Sequence, residues 1–161
     1  MDRKIGVYVC ECGPNIAEAM DIDRIIEAVS GMENVAFVEK YRLLCSPDGK
    51  KYLAEQIKEH EFTHLVVGAC SPKQHEATFM NICKEAGMNP FLMQMANLRE
   101  QIAWITPDKE KATERAIRHM KAAIRRVRYH VPLEQKEIEC NADVLVIGGG
   151  IAGMSAALRL S

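Results

Sequence analysis

A charge of one sign, a long apolar run and a hydrolytic motif are all missing from this chain of 161 residues. Its 21 basic and 22 acidic residues leave a formal net charge of −1, so no global field draws it to nucleic acid or to an anionic membrane. After Met1-Asp2-Arg3-Lys4 the apolar stretch ends at Cys10. That is too short for the apolar region of a signal peptide and far too short for a bilayer span. No direct membrane insertion and a cytoplasmic location are expected. No serine, histidine and acid carry a nucleophile motif and no paired carboxylates announce acid–base work, which argues against hydrolytic catalysis. Low-complexity tracts are absent too.

Cysteine is present six times, and its positions are informative. Cys10 and Cys12 follow the strand-like run from Ile5, Cys45 follows Phe37–Leu44, and Cys70 follows His64–Ala69. In a reducing compartment such residues serve as metal ligands or redox groups more often than as a disulfide framework. The unit strand, cysteine, helix recurs. Ser46-Pro47-Asp48 and Ser71-Pro72 are helix starts, and Gly87 is a stop.

The expected elements are strands at Ile5–Cys10, Val35–Val38 with an extension toward Leu44, His64–Ala69 and Phe91–Met95. Helices are expected from Asn15 to Ser30, from Pro47 to His60 and from Pro72 to Gly87, with a long amphipathic one over Asp108–Tyr129. Its apolar stripe is Ala112, Ala116, Ile117, Met120, Ile124 and Val127. Lys109, Lys111, Arg115, Arg118, Lys121, Arg125, Arg126 and Arg128 form its basic side, a solvated face or a dock for an acidic partner. This alternation predicts a Rossmann-like, doubly wound α/β fold with a mostly parallel sheet and cysteines at the strand carboxyl ends.

Pro132 breaks the long helix. Residues 1–131 form one domain, 132–142 a linker, and 143–161 the start of a second domain. In the last, a strand over Asp143–Ile147 leads into Gly148-x-Gly150-x-x-Gly153 and a small-residue helix. That order lets backbone amides approach a pyrophosphate, with Gly153 permitting close helix packing. The acidic residue expected about 20 positions on falls past Ser161, so the site is incomplete within this sequence and should not hold a nucleotide by itself.

In an open parallel sheet the strand carboxyl ends lie along one edge beside helix N-termini, so three distant loops bring Cys10, Cys12, Cys45 and Cys70 together. Gly13 leaves room for the backbone to curl round a bulky inorganic group. Helix N-termini favour thiolate over thiol. Four cysteines suit a [4Fe–4S] cluster or a tetrahedral zinc ion, and the separate strand-end loops sit more easily with the cluster. Redox thiols and ordinary buried cysteines remain alternatives. Cys83, within a helical pattern, reads as core, and Cys140 as a bystander. His64 at a strand start and His75 on a helix surface read as structural.

The chain resembles the heterodisulfide reductase A-subunit family, with its relative in the quinone-interacting membrane-bound oxidoreductase complex. The matching stretches are Gly6–Gly13, Leu43–Ser46, Val67–Pro72, Phe91–Glu100 and the Val146–Gly153 fingerprint. The resemblance implies an iron–sulfur flavoprotein subunit, with one [4Fe–4S] cluster on Cys10, Cys12, Cys45 and Cys70. FAD would be bound only in the full-length protein, beginning at Gly148, Gly150 and Gly153. It implies electron transfer, with flavin-based bifurcation in some members. The partners would be the remaining FAD and ferredoxin-like domains and the other subunits of a heterodisulfide-reductase-like complex. Relatives often carry a cysteine shortly before the tryptophan of the Ala-Asn-x-Arg-Glu segment, where this sequence has Ile102, Ala103 and Trp104, which leaves Cys83 as the reserve thiol. Apolar surface on the long helix and the severed second domain would normally meet a neighbour, so a homodimer or other extra contacts are expected.

Overall fold

Fully apolar runs are what a strand needs when both faces of its sheet are covered, and two such runs form the centre of the molecule. The computed structural model describes residues 3–161. Strand β1 (Ile5–Cys10) lies between β2 (Val35–Tyr41) and β3 (His64–Ala69), and β4 (Met93–Asn97) pairs with β3. The order is β2-β1-β3-β4 with every pairing parallel. The helices are α1 (Pro14–Ala17), α2 (Ile22–Ser30), α3 (Pro47–Glu59), α4 (Pro72–Glu85), α5 (Lys109–Val127) and α6 (Ile151–Leu160).

The period-two alternation of side chains splits the core into two layers. Val7, Val9 and Val66 pack with Ile25 and Val29 of α2 and Met120 and Ile124 of α5. Tyr8, Leu65 and Val67 pack with Leu53 and Ile57 of α3 and Phe79 and Ile82 of α4 on the opposite face. Gly68 lets α5 lie close to β3, because a Cβ there would meet the Met120 sulfur.

This is the doubly wound α/β layout that the alternation predicts, and β1, β3, α3 and α4 fall close to their expected bounds. The expected helix from Asn15 to Ser30 is two helices, interrupted where Asp21 caps α2 by accepting a hydrogen bond from the Arg24 N–H. Arg42–Leu44 leaves the sheet and turns, and the Leu43 carbonyl accepts hydrogen bonds from the Ser46 N–H and hydroxyl. Pro90 starts a single 3-10 turn through Leu92, so the fourth strand begins at Met93 rather than Phe91. Asp108 caps α5, accepting from the Lys111 N–H.

Asp143–Ile147 is not a strand. The segment has no neighbour in a ladder, and Val144, Leu145 and Ile147 are exposed. A strand is defined by its partner, and an apolar run without one stays coil. The glycine turn after it forms nonetheless. Gly148 has φ +112°, Gly150 caps α6, and a Cβ on Gly153 would collide with the Gly148 carbonyl oxygen. Among the described residues, no helix is long and apolar enough to cross a membrane.

Candidate metal centre

Chain connections diverge beside the first and third strands. After β1 the chain crosses to the α2 face, and after β3 it crosses to the α4 face. In open α/β sheets the crevice at such a switch point, outside the strand carboxyl ends, is where ligands bind. Cys10 ends β1 and Cys70 follows the last residue of β3, on neighbouring strands about 4.8 Å apart. Cys45 comes from the turn after β2, where the Glu11 N–H donates to the Tyr41 carbonyl and ties this turn to the one after β1.

Local sequence sets each thiol. Cys12 has φ +50° and Gly13 φ +57°, two consecutive left-handed residues that reverse the chain after β1. Non-glycine residues adopt this region uncommonly. The Asn15 side-chain amide donates to the Cys12 carbonyl and holds the turn. Ser46 caps α3, accepting from the Gly49 N–H, and Gly49 has no room for a Cβ because the Leu43 carbonyl and Leu44 backbone press on it. Cys45 and Cys70 each directly precede the N-cap of a helix whose first residue is proline. Two helix N-termini therefore meet the crevice with their positive ends.

Electrostatics links the four sulfurs. Burial pushes the Cys10 thiol up, partly offset by the backbone N–H groups of Leu44 and Cys12, while neighbouring Cys12 and Cys45 push it further. Burial pushes Cys70 up to about 11; the Arg99 guanidinium works against this, and Cys12 and Cys45 add to it. Cys10 and Cys70 thus both feel Cys12 and Cys45. Four thiols with no competing imidazole make a soft donor set, of the kind that selects zinc, copper(I) or iron–sulfur clusters. Among the described residues, no three His, Cys, Asp or Glu side chains converge on a single ion.

Four residues from elsewhere, Arg99, Gln74, Glu100 and Trp104, cluster beside Cys12. Arg99, two positions beyond β4, donates from Nη1 to the Cys12 sulfur at 3.3 Å. Its Nη2 donates to Gln74 Oε1 at 3.1 Å and to Glu100 Oε1 at 2.8 Å. The guanidinium also lies 5.1 Å from the Trp104 ring centre. Glu100 is held by its N–H, which donates to Asn97 Oδ1, and its Oε2 is buried without a partner. The spacing of the cysteines does not point to these residues. The signal was available, since Arg99 follows a fourth strand end and must emerge at the same sheet edge as the cysteines.

The remaining thiols stand apart. Cys83 is fully buried among α3, α4 and β4 side chains, with its thiol pushed up to about 12 by burial. Cys140 is exposed in the segment after α5. Ile102 is buried in the layer beneath α5, so an apolar core contact occupies the position before Ala103 and Trp104.

The fold is that of a doubly wound α/β domain, with Cys10, Cys12, Cys45 and Cys70 on three neighbouring loops at one edge of its sheet. Across 98–99% of its own length this chain is homologous to heterodisulfide reductase A subunits. It is 42% identical to the first iron–sulfur A subunit of the CoB–CoM heterodisulfide reductase of Methanopyrus kandleri, and 42% identical to a protein of Archaeoglobus profundus named as like the heterodisulfide reductase A subunit, covering 99% of this chain in both cases. It is 37% identical, over 98% of its length, to the A subunit of the ferredoxin/F420H2-dependent CoB–CoM heterodisulfide reductase of Methanosarcina acetivorans. It spans 24%, 23% and 20% of those three proteins respectively, about a quarter of their length or less. No protein-family model matches it.

Proposed function

We propose that this chain is the electron-transfer module within one subunit of a heterodisulfide-reductase-like complex, with Cys10, Cys12, Cys45 and Cys70 holding one [4Fe–4S] cluster. The observation that supports this reading is the meeting of three cysteine-bearing loops at the switch point, where Cys10 and Cys70 each feel the charge of Cys12 and Cys45. The chemistry of the donor set fits such a group, as do the two helix N-termini and the backbone N–H groups directed at Cys10. A bound cluster supplies one-electron storage at this edge.

The residues of the chain bind and insulate. Buried Cys10 and Cys70 sit at the floor, against the sheet, while half-buried Cys12 and Cys45 form the rim. Positive helix ends and the Arg99 guanidinium offset thiolate charge. Cys83 and Cys140 take no part. The names of the relatives, one an iron–sulfur subunit and another part of a ferredoxin/F420H2-dependent reductase, agree with this role. By the same analogy, residues 1–131 form the cluster domain and 132–142 a linker. Residues 143–161 open the FAD domain of a longer subunit, with Gly148, Gly150 and Gly153 at the pyrophosphate. The crowding between Gly153 and the Gly148 carbonyl suits the close helix-to-strand approach of that fingerprint. The wider partners would be the ferredoxin-like domains and companion subunits of the complex.

Anaerobic purification with iron and sulfide analysis, and electron paramagnetic resonance after dithionite reduction, tests the reading. About four irons and four sulfides per chain are expected, lost in Cys10→Ser, Cys12→Ser, Cys45→Ser and Cys70→Ser and retained in Cys83→Ser. A colourless protein holding one zinc, or no metal after anaerobic reconstitution, overturns it in favour of a structural zinc or thiol-redox domain.

A further inference from the structure

The geometry points to Arg99 as the residue that sets how readily this centre accepts an electron; the inference rests on the cluster assignment above. A guanidinium has five N–H donors in a rigid fork, and here all three of its nitrogens donate. Nε donates to Glu100 Oε1 at 3.1 Å, Nη2 to the same oxygen and to Gln74 Oε1, and Nη1 alone is left to reach the Cys12 sulfur. The plane lies over Trp104. The backbone is pinned as well, with the Leu98 and Arg99 N–H groups both donating to the Ala69 carbonyl, next to Cys70.

Arg99 is thereby held between the loop that carries Cys12 and the loop that carries Cys70, and its charge acts on both sulfurs. Its side chain is only 18% exposed, so water screens this interaction less than it would a surface pair. A hydrogen bond from a cation to a ligand sulfur favours the more negative oxidation state. Reduction adds one electron and makes or breaks no covalent bond, and the arginine keeps its proton throughout. Arg99 therefore stabilises the reduced form, while neighbouring Glu100, with one oxygen on the arginine and the other buried and unpartnered, opposes it.

The test is a redox titration of the reconstituted chain, followed by electron paramagnetic resonance, with iron content and melting temperature measured in parallel. At the wild-type midpoint, Arg99→Gln is expected to keep its iron while its reduced-to-oxidised ratio falls about tenfold, equivalent to about 59 mV for a one-electron couple. Glu100→Gln is expected to raise the ratio. Arg99→Lys, which keeps the charge but not the fork, should fall between wild type and Arg99→Gln. A wild-type cluster whose ratio is unchanged in both Arg99→Gln and Glu100→Gln overturns the inference and leaves the cluster assignment standing. Loss of iron from Arg99→Gln and Arg99→Lys at unchanged melting temperature also overturns it, because Arg99 would then serve assembly. A wild-type chain that holds no cluster overturns both readings.

Discussion

His64 shows how a single residue couples this fold to pH. It is the first residue of β3 and is buried, with Nδ1 2.9 Å from the Thr63 hydroxyl and Nε2 without a partner. Burial holds its imidazole below the ordinary histidine value of 6.5, Arg3 and His130 act in the same direction, and the His130 backbone opposes them. The unfolded chain therefore binds more protons than the folded one as pH falls through 6.5, and stability is lost in that direction. Melting temperature is expected to drop between pH 7.5 and 5.5. His64→Leu should flatten the slope, and His119, lowered by burial in the same way, should leave a residue of it. The place of His64 at the start of a strand is legible in the sequence. The arginine clamp was not legible, because its partners Gln74, Cys12 and Trp104 lie on three different elements and only folding makes them neighbours.

Among the elements, α5 is the one whose sequence pattern carried the most information. Its apolar stripe at helical spacing is buried as expected, with Ile117 only partly covered and Thr113 and Ala123 added to the covered face. Thr113 could not be assigned by hydropathy. Its hydroxyl donates to the Lys109 carbonyl and accepts from the Asp21 N–H, so a polar residue is satisfied within the packed face. The basic face is mostly exposed, and Arg128 pairs with Glu33. Met120 fills the space left by Gly68, and its side chain is fully buried. Met120→Ala should destabilise the protein by about 2–5 kcal/mol through the cavity it leaves, measurable by urea denaturation. The run at Asp143–Ile147 shows the opposite case: its hydropathy is that of a strand, yet no ladder forms without a neighbouring strand.

At the scale of the whole molecule, the packed body ends near His130, whose Nδ1 lies 3.0 Å from the Phe91 carbonyl, and Asn89 holds the Leu133 carbonyl beyond it. The chain from 134 to 145 is exposed throughout and outside any helix or strand, and a solvated segment of this kind is the preferred site of proteolytic nicking. Limited trypsin digestion should therefore cut first at Lys136, and the fragment retaining residues 3–130 should melt as the intact chain does. Sequence alone determined the repeated unit of strand, cysteine and helix, the apolar stripe of α5 and the glycine turn, because each depends on residues close along the chain. It also placed Cys10 and Cys70 at strand ends, since period and turn chemistry are local, whereas Cys45 lies in a turn four residues past the end of β2. Tertiary structure decided the strand order, and with it that β1 and β3 are neighbours whose connections diverge. It also decided that Arg99 reaches Cys12 and that Asp143–Ile147 stays unpaired. These depend on contacts between residues far apart in the chain, which no local pattern specifies.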